Sequence, residues 1–385
     1  MSELRAPLRE LLAFVRELYG AAGPIPLHAP VFAGNEKRYL AECIDTTFVS
    51  SVGPFVDCFE QMMQDITGAK YAVATMNGTA ALHMALILAG VTDGDEVITQ
   101  PLSFVATCNA LAYQRAQPVF VDIDPDTLSL SPAALKEFLE SRCERVAGAC
   151  RHRETGRRIA AVVPMHTFGL PGRAQELAEI CERWHLVLVE DAAESLGSTI
   201  GGRHTGTFGK LGTFSFNGNK TVTSGGGGAV VTDDPALARR AKHLTTTAKV
   251  PHRWDFFHDE VGFNYRLPNL NAAVACAQLE QLEGFLANKR ATAQAYAARC
   301  AQLGIPFAQE LAGTRSNFWL NAILVDDAAE RDAFLQAAND GGIQARPVWQ
   351  LMPELPAFAS ATCGPLDHAR AAAARIVNLP SSVRP

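Results

Sequence analysis

Long apolar runs are missing from this chain of 385 residues. No stretch approaches the about 18 consecutive apolar residues of a membrane-spanning helix, so no membrane partner is expected. The first twenty residues, MSELRAPLRELLAFVRELYG, lack the uninterrupted apolar core of a secretory signal, because glutamates and arginines interrupt the leucines at helical spacing. Positive charge is also scarce: 34 Lys and Arg against 40 Asp and Glu give a net charge of -6. A pI near 5.9 leaves no electrostatic footprint for nucleic acid. None of the nine cysteines pairs into a CxxC motif, and several sit among alanines and leucines. They read as buried free thiols in a reducing cytoplasm rather than disulfides or metal ligands. Internal repeats and low-complexity linkers are absent too.

What remains is the composition of an ordinary globular enzyme, 48% hydrophobic and 19% charged. The length exceeds the roughly 250 to 300 residues that one hydrophobic core serves, so more than one domain is expected. An amphipathic helix within residues 1–30 comes first, followed by two helical segments in 34–68 around a polar turn. From Tyr71 the texture changes to short runs, YAVAT, EVIT, PVFVD, IAAVVPM, LVLVED, GTFSF and GAVVT, interleaved with helical stretches. Near-continuous apolar strands of this kind predict an α/β fold with a mostly parallel sheet covered on both faces, over residues 31–250. The basic insertion 142–158 reads as a solvated loop. Residues 251–385 begin with a loop rich in aromatics and histidines, continue into long helices, and end in a smaller α+β unit.

In an open α/β sheet, ligands collect at the carboxyl ends of strands. YAVAT runs into Asn77-Gly78-Thr79 and a helix; free N–H groups and the helix dipole there suit a phosphate, although a plain cap by Asn77 or Thr79 explains the same residues. LVLVED ends in Glu190-Asp191, and a carboxylate at the end of an apolar strand is costly unless a positive group needs it. A protonated pyridine nitrogen would be such a group; a salt-bridged structural Asp is the competing explanation. GTFSF leads to Ser215 and then, in SFNGNKTVTSGGGG, to Lys220, a candidate for Schiff-base chemistry. Phe104 could offer a flat face for a ring, or be simple core packing. A phosphate cradle, a strand-end Asp, a Ser and a Lys together are the parts that hold pyridoxal 5′-phosphate. Other glycine-rich readings fail on spacing. GTFGKLG at 206–212 lacks the first glycine of a Walker A motif and has Leu211 where Ser or Thr should stand. The GGGG run precedes a strand, whereas a dinucleotide fingerprint follows one. No metal-ligand set is apparent.

NGTAAL, PLSFVATCNAL with PVFVDID, PMHTFG, VEDAAES, SFNGNKTVTSGGGG and GFNYRLPNLNAA follow one another over nearly the whole chain. In that order they resemble the PLP-dependent nucleotide-sugar aminotransferases often called the DegT/StrS family. The resemblance implies a fold-type I (aspartate aminotransferase-like) enzyme of polysaccharide biosynthesis, with a large coenzyme domain and a smaller α+β C-terminal domain. By the same resemblance Lys220 is the Schiff-base lysine and proton carrier, and Asp191 is the partner of the pyridine nitrogen. Phe104 stacks on the ring, while Gly78, Thr79 and Ser215 hold the phosphate. His166 and Glu194 lie near the coenzyme, and Asn264 reaches the phosphate from a second subunit, which implies a homodimer with shared active sites.

Two positions depart from the common pattern. Glu194 stands where many relatives have Gln or His, and Gly226 where many have Glu; both read as subgroup markers. FAGNEKRYL and SSVGPFVDCFEQ look most like the LegC-type branch, whose members aminate UDP-linked 4-keto-2-acetamido-2,6-dideoxy sugars. That resemblance suggests a nucleotide-sugar substrate and glutamate as amino donor. Substrate contacts are expected from the Phe48–Ser51 turn, with Ser50 and Ser51, and from Arg346 and Trp349. The alternatives are a non-catalytic sugar-nucleotide-binding protein of the same fold, or a PLP-dependent sugar dehydratase. Related dehydratases replace the lysine with His, so Lys220 argues against the latter.

Overall fold

The computed structural model describes residues 4–20 and 22–384. All seven predicted strands occur in one ten-stranded sheet. In spatial order its main path runs Tyr71–Thr75, Gly228–Thr232, Leu211–Ser215, Val187–Asp191, Arg158–Val163, Glu96–Thr99, Gln117–Phe120 and Thr362–Cys363. Gly228–Thr232 is antiparallel to both of its neighbours, and the other pairings along this path are parallel. Every strand of the path but that one therefore brings its carboxyl end to the same edge.

Burial on both faces explains the apolar strand texture. Helices Gly78–Leu88 and Val105–Tyr113 cover one face with Leu82, Met84, Ala110 and Leu111, packed against Val97, Ala161, Val189 and Val230. On the other side of the fold, Phe55, Phe59 and Met63 of helix Pro54–Thr67 meet Phe214, Phe216 and the alanines of Asn269–Leu279.

The basic insertion is not a solvated loop. It forms a hairpin, Cys143–Val146 with Ala149–His152, whose Cys143, Cys150 and His152 turn inward while its arginines stay outside. Neither strand, CERV nor ACRH, alternates cleanly between apolar and charged residues, so its pattern gave no strand signal.

A second sheet of three strands, Asn321–Leu324, Ile376–Leu379 and Arg346–Pro347, is antiparallel throughout. Helix Ala328–Asp340 packs its Phe334 into the same cluster as Ile323 and Val377. The amphipathic helix Ala6–Tyr19 belongs to this body, burying Leu8, Leu11 and Val15 against Tyr296, Cys300 and Phe334. The 22-residue helix Leu282–Leu303 links the two bodies. Among the described residues no helix is long and apolar enough to cross a membrane.

Candidate active site

At the sheet's carboxyl edge, Tyr71–Thr75 gives way to Asn77, whose Oδ1 accepts from the Ala80 N–H at 2.8 Å and caps helix Gly78–Leu88. The Asn77 carbonyl takes the Ala81 N–H at 3.1 Å. Of the first N–H groups, which a helix cannot satisfy internally, those of Gly78 and Thr79 then have no partner among the described residues. Capping and an anion cradle therefore coexist at this turn rather than compete. Ser215 approaches so closely that a Cβ on Gly78 would lie 2.7 Å from its Cβ. Only glycine lets the Ser215 hydroxyl join the free N–H groups.

Asp191 ends Val187–Asp191 wholly buried, with Oδ2 accepting from Thr107 Oγ1 at 2.8 Å and Oδ1 from the Ala193 N–H at 3.2 Å. Burial raises its pKa above the ordinary carboxylate value, with those two bonds and the charge of Lys220 opposing. A cation bound opposite would favour the ionised form further.

Its neighbour Glu190 has a different task. His166 Nδ1 accepts the Gly172 N–H at 3.0 Å, so the ring proton sits on Nε2 and is donated to Glu190 Oε2, also at 3.0 Å. The Gly206 and Gly209 N–H groups complete the carboxylate's shell at 2.9 and 2.7 Å. Burial works against this charge, but His166 and the two N–H groups together hold its pKa low. His166 thus points into this interior network and does not line the cavity, contrary to the expectation from resemblance.

The cavity measures about 240 Å³ and is lined by Gly78, Thr79, Phe104, Asp191, Glu194 and Ser215, with Lys220 and two tryptophans, Trp319 and Trp349, closing it. Lys220 Nζ lies 3.5 Å from Glu194 Oε1 and 4.0 Å from the centre of the Trp319 ring. Glu194 Oε2 accepts the Phe168 N–H at 2.9 Å. Burial pushes the Glu194 pKa up to about 7 despite the attraction of Lys220. Phe104, 49% exposed, stands just before the helix Val105–Tyr113 and meets Trp349 edge-on at 6.1 Å, leaving a flat ring face available. Broader depressions exist elsewhere, one of about 400 Å³ beside Arg203, Lys210 and Asp233. That one borders the amino end of Leu211–Ser215, away from the edge where the carboxyl ends of the parallel strands gather.

Five further predicted positions stand outside the cavity. Asn264 is exposed, its Oδ1 accepting from Arg266 Nε at 3.0 Å. Phe48 and Ser50 are exposed, with Ser51 partly so, in a turn tied by Asn269, whose side chain donates to the Phe48 carbonyl at 2.7 Å. Arg346 is exposed and donates to Asn339 Oδ1 at 3.0 Å. Trp349 alone of the expected substrate residues reaches the cavity. Trp319 was missed: FWLNAILVD reads as a strand, and nothing in its pattern distinguishes a tryptophan aimed at a lysine from one in the core. The glycine run does not line the cavity either. Gly228 passes beneath Asn77, where a Cβ would lie 2.5 Å from its carbonyl oxygen.

The residues present fit pyridoxal 5′-phosphate. Free N–H groups at a helix start and a serine hydroxyl suit the phosphate, a buried carboxylate suits the ring nitrogen, and a lysine is in reach of the same cavity. The fold and this set of groups define a fold-type I pyridoxal phosphate-dependent transaminase.

The chain belongs to the DegT/DnrJ/EryC1/StrS aminotransferase family, matched over residues 31–384. It is 36% identical over 362 residues to the GDP-perosamine synthase of Caulobacter vibrioides (strain ATCC 19089 / CIP 103742 / CB 15), covering 93% of each chain. EpsN of Bacillus subtilis (strain 168), assigned by name to the pyridoxal phosphate-dependent aminotransferases, is 36% identical over 335 residues, 87% of this chain and 84% of that one. Among solved structures, the aminotransferase TlmJ from Streptoalloteichus hindustanus superposes with a TM-score of 0.84 at 28% identity, covering 93% and 94%. The protein is accordingly a pyridoxal phosphate-dependent nucleotide-sugar aminotransferase.

Proposed function

We propose that the enzyme moves an amino group from glutamate to the 4-keto carbon of a nucleotide-linked 6-deoxy sugar. One observation carries the roles assigned: Lys220 Nζ, Asp191 and the Gly78–Thr79–Ser215 cradle face a single cavity. Bound pyridoxal phosphate supplies an aldehyde to receive the amino group and a ring to take up electrons. Lys220 holds the coenzyme and carries the proton between its carbon and the sugar carbon. Asp191 keeps a negative charge against the ring nitrogen. Phe104 covers the ring, and the cradle fixes the phosphate. Glu194 anchors Lys220 when its amine is free.

The LegC-type resemblance of FAGNEKRYL and SSVGPFVDCFEQ supports a UDP-linked 2-acetamido-2,6-dideoxy-4-keto hexose as substrate. A second reading, a GDP-linked substrate, is supported by relatives named GDP-perosamine synthase, perosamine being a 4-amino sugar. The Phe48–Ser51 turn and Arg346 serve the active site only as part of a homodimer, in which Asn264 of one protomer completes the phosphate site of the other. Exposed apolar side chains at Phe48, Val52, Met76, Trp254 and Phe256 supply surface for that contact.

A panel of UDP-, GDP- and dTDP-linked 4-keto sugars, incubated with coenzyme and glutamate and read by mass and NMR, separates the two readings. Turnover of the GDP sugar alone removes the UDP reading, and product formed without stoichiometric use of glutamate removes transamination. Lys220→Ala should abolish both the visible absorbance of the lysine-bound coenzyme and all turnover; surviving turnover would refute the role of Lys220.

A further inference from the structure

A fully buried lysine stands behind the site and takes no part in the chemistry above. Lys289, on the helix Leu282–Leu303, is 1% exposed and has no carboxylate partner among the described residues. Burying an ammonium without a counter-charge is costly unless its hydrogen bonds are all made. Here they are: Nζ donates to His28 Nε2 at 2.9 Å, to the Trp319 carbonyl at 3.2 Å and to the Ser381 carbonyl at 2.5 Å. Burial alone lowers its pKa to about 7.

Of the three acceptors, Trp319 leads to the active site. Its backbone N–H donates to Asn317 Oδ1 at 2.8 Å, its carbonyl is held by Lys289, and its indole Nε1–H donates to the Asn219 carbonyl at 2.6 Å. Asn317 is itself fixed, donating to the Glu194 and Leu196 carbonyls at 2.8 and 2.9 Å. A side chain on Gly169, at φ +89°, would collide with Asn317. Phe318, just before the tryptophan, sits at φ +46°, where bulky residues are uncommon. The His28 ring lies 6.5 Å from that of Trp319. With all its polar atoms engaged, Trp319 has one fixed pose. In it the ring lies under Lys220 Nζ, and its N–H grips the residue preceding that lysine.

We propose that Trp319, locked by Lys289, is a positioning residue that receives the Lys220 amine whenever it is not bonded to the coenzyme, together with Glu194. This rests on Lys220 being the coenzyme-bonding lysine. A transaminase frees that amine in each cycle, and an amine left to wander would have to be recaptured before the next half-reaction. A cation over an indole face is worth enough to change the fraction of freely reactive amine by roughly 5- to 30-fold when partly desolvated.

The test uses the full-length protein stripped of coenzyme and treated briefly at pH 8 with an amine-acylating ester. Labelling of each lysine is followed by peptide mass spectrometry, with the exposed Lys136 as internal reference. Trp319→Leu should raise the Lys220 labelling rate roughly 5- to 30-fold, while Trp319→Phe, which keeps an aromatic face, stays within about twofold of the parent. Lys289→Met should raise it about threefold or more, because Trp319 loses its tether. Equal labelling of parent, Trp319→Leu and Lys289→Met overturns the proposal, as does Trp319→Phe behaving like Trp319→Leu. Should Trp319→Leu not fold, which labelling of the buried Lys289 would reveal, the Trp319→Phe and Lys289→Met pair decides. Borohydride reduction of the loaded protein keeps the two claims apart. Coenzyme trapped on another lysine sinks the role of Lys220, whereas coenzyme trapped on Lys220 with unaltered labelling in the variants sinks only the role of Trp319.

Discussion

Glu194→Gln is the most informative single change. The carboxyl is 2% exposed, accepts the Phe168 N–H at 2.9 Å and faces Lys220 at 3.5 Å. In the coenzyme-free protein burial raises its pKa to about 7, from an ordinary value of 4.5. A raised carboxyl binds more protons folded than unfolded. Its contribution to stability is therefore fully present below pH 4.5 and is lost as pH rises through 7. At about 1.4 kcal/mol per pH unit, the loss between pH 4 and pH 8 is about 3 kcal/mol. Glutamine does not titrate, so that loss disappears in the variant. The attraction of Lys220 is already contained in the value of about 7, so the variant gains roughly 2–3 kcal/mol over the parent on going from pH 5 to pH 8. Urea unfolding of both coenzyme-free proteins at the two pH values, at one fixed protein concentration, measures it. If the difference between the proteins does not change with pH, or changes the other way, Glu194 is ionised throughout and the reasoning fails.

Two more changes test the rest of the site. Gly78→Ala sets a methyl 2.7 Å from the Ser215 Cβ; coenzyme retention measured by equilibrium dialysis should weaken at least about tenfold, as expected for losing one or two charge-assisted bonds to a phosphate, and unchanged retention would remove the cradle. His166→Ala leaves the buried Glu190 carboxylate with only the Gly206 and Gly209 N–H groups; unfolding free energy should fall by about 3 kcal/mol or more, while coenzyme affinity of the folded protein changes by less than about threefold. A large loss of affinity with unchanged stability would put His166 back in the cavity.

The sheet was legible because each parallel strand is buried on both faces and so reads as an apolar run between turn residues. Lys220, Asp191, Gly78, Thr79, Ser215 and Phe104 were legible as a group, since strand ends and helix starts announce themselves in the sequence. The fate of His166 was not. Two adjacent acids end the same strand, alternate residues of a strand face opposite sides, and the histidine serves the inward one, Glu190. Trp319 escaped for a related reason. Its task depends on Lys289, thirty positions earlier, and on Ser381 at the far end of the chain, and such contacts leave no local pattern. The hairpin 143–152 was hidden by its arginines, which outweigh the inward Cys143, Cys150 and His152 in any reading by charge alone.

The four glycines after Lys220 find their reason in the path of the chain. Between Lys220 and the strand Gly228–Thr232 the backbone must reverse, and Gly225 does so at φ +75°. It must then slip between Tyr71–Thr75 and Leu211–Ser215, pairing with both. At Gly228 the partners are Thr75 and Ser215, the last residues of those two strands, and the Asn77 carbonyl lies directly above. A side chain there would push on Asn77, whose amide oxygen caps the helix that forms the cradle. The glycines therefore act on the Gly78–Thr79–Ser215 turn without lining the cavity. They let the strand that follows Lys220 close against Tyr71–Thr75, which leads to Asn77, and against Leu211–Ser215, so Lys220 and the Gly78–Thr79–Ser215 turn are set by one stretch of backbone.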